Sequence, residues 1–283
     1  MKRAAVVIAV LGMCVCGWAQ DKPAGQTAPA GQAAAAAPQG KRPPQAKTQP
    51  EFEAYKTAIA LSDPAAVEKA ADDFATKFPD SELRVVLYKA AMQKYQMANN
   101  ADKMESMARK ALTLDPDDPE ALVGVAQVLA ETTHDTDLDK DQKIDEAKKD
   151  AERALVTVDT DVPTAGYPAE KIDQFKRYIK SEAYAILGTL ASNAKNWPDA
   201  ETNLKKSIDA FPEQVDSVAV LRLAVALDMQ NKVPDALKYA NQAVDLTKDR
   251  PDSPAGKAAR AEQDRLTKLS SGTAPGQPAP QKN

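Results

Sequence analysis

Asp135, Asp137, Asp139, Asp141 and Glu146 form the one local set of side chains in this 283-residue sequence that is spaced for chemistry. They occupy positions 1, 3, 5, 7 and 12 of the stretch 135–146, the spacing with which an EF-hand loop ligates calcium through carboxylate oxygens. Position 6 of such a loop turns through positive φ and favours glycine, whereas here it is Lys140, which also brings a positive charge beside the ion. An acidic solvated loop, with Asp145 and Glu146 favouring the N-terminus of the next helix, explains the same residues without an ion. His134 is the single histidine, and the two cysteines, Cys14 and Cys16, both lie in an N-terminal apolar stretch. Ser-His-Asp, Cys-His and histidine–zinc chemistries therefore lack parts, and no glycine-rich phosphate loop occurs. The expectation is a protein that is not an enzyme, with no catalytic residue, no cofactor and no assigned metal site.

Lys2 and Arg3 precede an apolar run from Ala4 to Cys16, and Gly17-Trp18-Ala19 places small residues at the two positions a signal peptidase reads. A signal peptide over 1–19, cut after Ala19, is expected, with a periplasmic or secreted mature chain free of cysteine. The run is shorter than the roughly 20 residues a helix needs to cross a bilayer, and no transmembrane segment is expected after cleavage. A second reading of the same stretch takes Leu11-Gly12-Met13-Cys14 as a lipobox, making Cys14 the lipidated N-terminus of an outer-membrane lipoprotein, although Met13 stands where a small residue belongs.

Residues 20–50 read as a disordered linker: from 21 to 50 there are six prolines, three glycines and nine alanines, without an apolar period. Residues 271–283, with Pro275, Pro278 and Pro280, read as a disordered tail. The span 51–270 between them holds 30 Lys and Arg against 40 Asp and Glu, a net charge of −10, so neither a nucleic acid nor an anionic membrane surface is expected as a partner.

That span is built to be helical. Only 5% of the sequence is aromatic while 43% is hydrophobic, so a core must come mainly from Ala, Leu and Val, and alanine favours helices over pleated sheet. Apolar residues recur at spacings of three and four over about eleven segments, with no convincing run of alternation. Ser62-Asp63-Pro64, Pro79-Asp80-Ser81, Asp115-Pro116-Asp117, Pro198-Asp199, Phe211-Pro212-Glu213 and Pro251-Asp252-Ser253-Pro254 each combine a capping side chain with a proline tolerated in a helix's first turn. Loops this short make antiparallel helical hairpins.

The hairpins repeat. Ser181 to Gln214 carries Tyr184, Leu187, Gly188 and Ala191, then Ala200, Leu204 and Ser207, then Pro212. Residues 85–118 and 217–250 give comparable frames, and twelve residues separate Gly188 from Ala200, Ala224 from Ala236 and Met92 from Met104. A further frame, 119–160, stretches that gap to twenty-one between Ala126 and Ala147 by an inserted turn, while 51–84 reads as a degenerate first repeat. Pro168 to Asn196 reads as one long helix, and 254–269 as a capping helix.

On these residues the sequence resembles the tetratricopeptide repeat family, in an exported, bacterial-type setting. The resemblance implies an all-α, right-handed α-solenoid of antiparallel helical hairpins over 51–270, acting as a non-catalytic scaffold for protein–protein interaction. It also implies a concave groove lined by the first helix of each hairpin, which holds a peptide or protein partner. On the frames above that groove presents Lys89, Gln93 and Gln96, then Gln127 and Glu131, then Thr189 and Asn193, then Asp228, with Val123, Ala185, Leu221 and Val225 among them. The Lys and Asn pairs with which this family grips a C-terminal carboxylate are not carried over, since Lys89 is followed by Gln93 and the later frame offers Arg222. Calcium binding through 135–146 and envelope assembly as a lipoprotein are the alternative functions.

Overall fold

A computed structural model of the chain describes residues 41–271. The expected signal peptide, the lipobox Cys14, most of the expected linker and all but the first residue of the expected tail lie outside the described residues. Among those described, regular structure consists of eleven α-helices and one 3-10 turn, with no strand. The helices are α1 (Gln49–Ile59), α2 (Pro64–Lys77), α3 (Leu83–Met97), α4 (Ala101–Leu114), α5 (Pro119–Thr132), α6 (Lys140–Thr157), α7 (Ala169–Asn193), α8 (Trp197–Ala210), α9 (Ser217–Asp228), α10 (Val233–Leu246) and α11 (Pro254–Ser270). The chain is described from Lys41, and α1 begins inside the stretch expected to be linker. The stretches expected as a long helix and as a capping helix fold as α7 and α11. Of the inserted residues, 133–139 form a loop and the rest lengthen α6 ahead of Ala147.

These helices belong to two compact units, described separately. The first comprises the described residues up to Ala121 together with Val156–Lys176; the second comprises Leu122–Leu155 and what is described from Arg177 onward.

Helix starts follow the capping logic. Asp63 accepts from the Ala66 N–H (2.9 Å) with Pro64 in the first turn, Asp118 accepts from Ala121 (2.9 Å), and Ser253 accepts from Gly256 (3.1 Å). In α11 that glycine is required by space, because a Cβ on Gly256 would lie 2.7 Å from the Arg250 carbonyl oxygen and 2.8 Å from that of Pro251.

Hairpin pairing is antiparallel, as the contacts show. In the second unit Ser181 donates to the Ser207 carbonyl (2.8 Å) while Gly188 faces Leu204, so numbers rise along α7 as they fall along α8. In the first unit the Tyr95 hydroxyl donates to Glu68 and Tyr88 to Asp72 (3.1 Å), which orders α2 against α3, the facing helices of two successive hairpins, in the same antiparallel sense. The small positions of the repeat are where helices meet: Ala108, Ala111, Ala200, Ala236, Ala240 and Ala243 have no exposed surface, and Ser207 is buried. At Gly188 a Cβ would stand 2.6 Å from Leu204 Cγ and 3.2 Å from its backbone nitrogen, so only glycine lets α7 and α8 approach this closely.

The turn inside each regular hairpin explains the twelve-residue spacing. Asn99, Lys195 and Asn231 adopt left-handed backbone, with φ of 54°, 57° and 60°. In each case the left-handed residue donates its N–H three residues back and the next residue donates five back: Asn99 to Gln96 and Asn100 to Tyr95, Lys195 to Ser192 and Asn196 to Ala191, Asn231 to Asp228 and Lys232 to Leu227. This is the Schellman closure of a helix C-terminus. Each of these residues lies seven after the first small position and five before the second, which together give twelve. Asn100 and Asn196 then cap the following helix with their side chains. The all-α array of hairpins is thus tetratricopeptide-like in spacing, turn and packing.

Of the three turn residues Lys195 is the one whose type resists positive φ, since a branched-free but Cβ-bearing side chain costs roughly 1–2 kcal/mol there while asparagine is tolerated. Lys195→Gly is expected to stabilise by about 0.5–1 kcal/mol and raise Tm by roughly 1–4 °C. Asn99→Gly serves as the comparison and is expected to gain less; calorimetric melting that finds Lys195→Gly no more stable than the parent would refute the assignment.

Candidate functional site

In the second unit the first helices α7 and α9 are neighbours, tied by the Arg222 guanidinium donating to the Thr189 hydroxyl (2.9 Å), which itself donates to the Ala185 carbonyl (2.8 Å). Thr189 is therefore buried and serves the helix contact. Asn193 is exposed one turn further along, with its amide 3.5 Å from the Ala130 carbonyl. On α9, Val220, Leu223, Ala224 and Leu227 are buried in the core. Leu221, Val225 and Met229 follow each other at four-residue spacing on another face, and Val225 and Met229 stay 37% and 52% exposed. Asp228 is only 14% exposed and accepts from Arg265 of the capping helix at 2.5 Å, so its charge is committed to α11. Gln127 and Ala185 are buried, whereas Glu131 is exposed.

In the first unit Lys89 is enclosed between two carboxylates, Asp118 at 2.8 Å and Glu120 at 3.2 Å, with its side chain 17% exposed. Burial alone would lower its pKa; the paired carboxylates outweigh that and hold it above its ordinary value. The Gln93 amide donates to the other oxygen of Glu120 (2.5 Å), while Gln96 is half-buried on the same helix. The structure therefore brings Lys89 and Gln93 together at the N-terminus of α5, where Asp118 also caps the helix.

In this structure the acidic stretch 135–146, whose spacing suggested a calcium loop, is not wound as one. Helix α6 starts at Lys140, so the last seven positions lie on two helical turns instead of wrapping an ion. The remaining carboxylates already have cations: Lys140 contacts Asp135 (2.6 Å), and Lys143 contacts Asp139 (2.9 Å) and Asp137 (3.5 Å). The Lys140 hydrogen bond holds the Asp135 carboxyl below its usual range. Among the described residues no group of three or more His, Cys, Asp or Glu is placed to hold a metal.

Two carboxylates that sequence reasoning passed over tie hairpins together. Glu68, the fifth residue of α2, accepts from Tyr95 of α3 and from Lys103 of α4 (2.8 Å). Glu201, the fifth residue of α8, accepts from Lys205 (2.7 Å), Gln230 (2.8 Å) and Lys232 (2.6 Å). Burial pushes the Glu201 carboxyl up, but these three donors dominate and bring it down to about 2. Tyr95 and Tyr88 are pushed up to about 12, first by burial and then by donation to Glu68 and Asp72. The signal was an acidic residue at the same place in two second helices.

No protein-family model matches the chain, and no curated protein matches it. Among solved structures it is similar to PilW, a widely conserved type IV pilus biogenesis factor, at 16% identity over 75% of this chain and 99% of that one, with a TM-score of 0.39. It is similar to Acl4, an assembly chaperone of RpL4, at 13% identity over 78% of this chain and 99% of that one, with a TM-score of 0.39. The likeness to Cut9 from the APC/C hetero-tetramer Cut9–Hcn1 is at 13% identity and a TM-score of 0.38, covering 77% of this chain but 42% of Cut9.

Removing the cation between Asp118 and Glu120 strands two nearly buried carboxylates. Lys89→Met is expected to cost on the order of 3 kcal/mol and to lower Tm by roughly 6–12 °C. Adding Asp118→Asn, which keeps the cap acceptor but removes one charge, is expected to restore part of that loss; a double-mutant cycle with no coupling refutes the enclosed pair.

Proposed function

We propose that the protein is an exported, non-catalytic scaffold that docks a peptide or protein partner on the inner face of its first helices. The observation that carries this is the apolar pair Val225 and Met229, exposed at four-residue spacing at the C-terminal end of α9, on the face that half-buried Leu221 shares and away from the buried Val220, Leu223 and Leu227. Exposed apolar side chains on α9, with the exposed Asn193 amide on the neighbouring first helix α7, suit an extended or helical segment, with apolar contacts supplying affinity and polar groups fixing register. Lys89, Asp228 and Thr189, which the groove was expected to offer, are held by partners within the protein, so they shape the face more than they grip a ligand. Export rests on the basic, apolar and small-residue order of positions 1–19.

Affinity capture from an envelope extract with the parent and a Val225→Asp, Met229→Asp variant tests the docking face. Both positions are exposed, so the melting temperature is expected to hold while specific partners are lost; an identical partner set sinks this face. Mass spectrometry of the mature N-terminus is expected to read Gln20 as the first residue, and a lipid-modified Cys14 in its place would move the protein to the lipoprotein class.

A further inference from the structure

Residues 41–47 of the first unit, Lys41-Arg42-Pro43-Pro44-Gln45-Ala46-Lys47, run without helix or strand along the loops that lead from one hairpin to the next. The Lys41 N–H donates to the Thr160 carbonyl (3.2 Å), and its ammonium reaches Asp115 (2.5 Å) and Asp161 (3.9 Å). Arg42 donates to Glu82 from both terminal guanidinium nitrogens, and the Gln45 N–H donates to the same carboxylate (3.3 Å). Lys47 donates its ammonium to the Asp80 carbonyl (2.7 Å) and its N–H to Glu51 (2.7 Å). The hydrogen bond from Arg42 is the chief cause that holds the Glu82 carboxyl below its usual range.

This segment is bound in the way a peptide is bound. Two consecutive prolines favour an extended backbone with no internal hydrogen bonds, so its polar groups look outward for partners. The receiving groups come from three separate loops, around 80–82, at 115 and at 160–161. The segment carries three cations and no acid, set on a folded span whose net charge is −10. Its grip is shallow: Lys41 and Arg42 remain 41% and 63% exposed, Pro43 and Pro44 are half-buried, and no large apolar side chain anchors it. Exposed ion pairs of this kind contribute roughly 0–1 kcal/mol each, so the covalent tether, with its effective concentration of about millimolar, does most of the holding.

We propose that the edge formed by Glu82, Asp115 and Asp161 is a docking surface for basic, proline-bearing extended peptides, which the chain's own residues 41–47 occupy in cis. It is a different surface from the face of Val225 and Met229, and the two stand or fall separately. A tethered occupant that is charged, extended and unanchored yields to a competing segment of the same chemistry that brings more contacts.

A fluorescent synthetic peptide of residues 40–48 tests this by anisotropy against the full chain. With Lys41→Glu and Arg42→Glu in the protein the edge is freed, and the peptide is expected to bind at least about tenfold more tightly than to the parent, whose own segment competes. Binding is expected to weaken several-fold between about 50 and about 500 mM salt, and to be lost when Glu82→Lys and Asp115→Lys are added or when the peptide's three cations are alanine. Equal affinity for the parent and the freed protein, an alanine peptide that binds as well, or no binding to any form would overturn the proposal. Hydrogen exchange on the parent chain supplies an arm that needs no variant: the Lys41, Gln45 and Lys47 amides are expected to be protected, and free exchange at all three would equally overturn it.

Discussion

Two helix backbones can lie against each other only as closely as the side chains between them allow, and in this protein that distance is set by almost nothing. At Gly188 the neighbouring Leu204 side chain fills the place of a Cβ, and Ala200, Ala236 and Ala243 stand with no exposed surface on the facing helices. Close approach increases dispersion contact per residue, which matters in a chain with few aromatic rings to supply area. It also makes the turn critical. A hairpin whose helices touch over an alanine tolerates no slack in the connection, and the left-handed residue at 99, 195 and 231 closes each helix at the same distance from its small position. The numerical repeat in the sequence is therefore the trace of one turn geometry used three times.

Between hairpins the cohesion is polar as well as apolar. Glu68 and Glu201 stand at the same place in α2 and α8, and each takes donors from the hairpin that follows. Such carboxylates hold stability only while ionised. Because the folded pKa of Glu201 is depressed to about 2, its contribution is present above the ordinary glutamate range and is lost as pH falls from there toward 2. The tyrosines behave in the opposite sense. With Tyr88 and Tyr95 raised to about 12, folding retains their protons more strongly than the unfolded chain does, and stability declines as pH climbs from about 10 toward 12.

The helices, their hairpin pairing, the long α7 and the capping α11 were legible because they rest on features that a sequence displays directly: small residues at fixed spacing, prolines at helix starts and short loops. What was not legible depends on position in space. Lys195 gives no sign of positive φ, since its type argues against it and only the hydrogen bonds of the turn impose it. The acids from Asp135 to Glu146 have the spacing of an ion loop, but spacing does not reveal that a helix begins at Lys140. Lys89 stands where a groove cation would, yet the two acids that engage it lie about thirty residues on, at the start of another helix. Residues 41–47 have the composition of a linker, and composition is silent about carboxylates waiting on three later loops.

The same ion pairs bear on how a partner is met. Lys89, Lys103, Lys110, Lys232 and Arg265 each sit on a carboxylate of this chain, so drawing any of them toward a ligand breaks a contact that stabilises the fold. A ligand that recruited the more exposed of these cations would gain one attraction and forfeit another in the same high-dielectric surface, for little net free energy, while recruiting the enclosed Lys89 would strand two nearly buried carboxylates. Exposed apolar side chains carry no such opposing cost, because Val225 and Met229 already present area to water and lose only that exposure on contact. Where charge is offered without being spent inside the array, as on the edge of Glu82, Asp115 and Asp161, the chain's own basic segment covers it. On the two proposed surfaces, the apolar pair would supply affinity and the acidic edge electrostatic selection, each independently of the other.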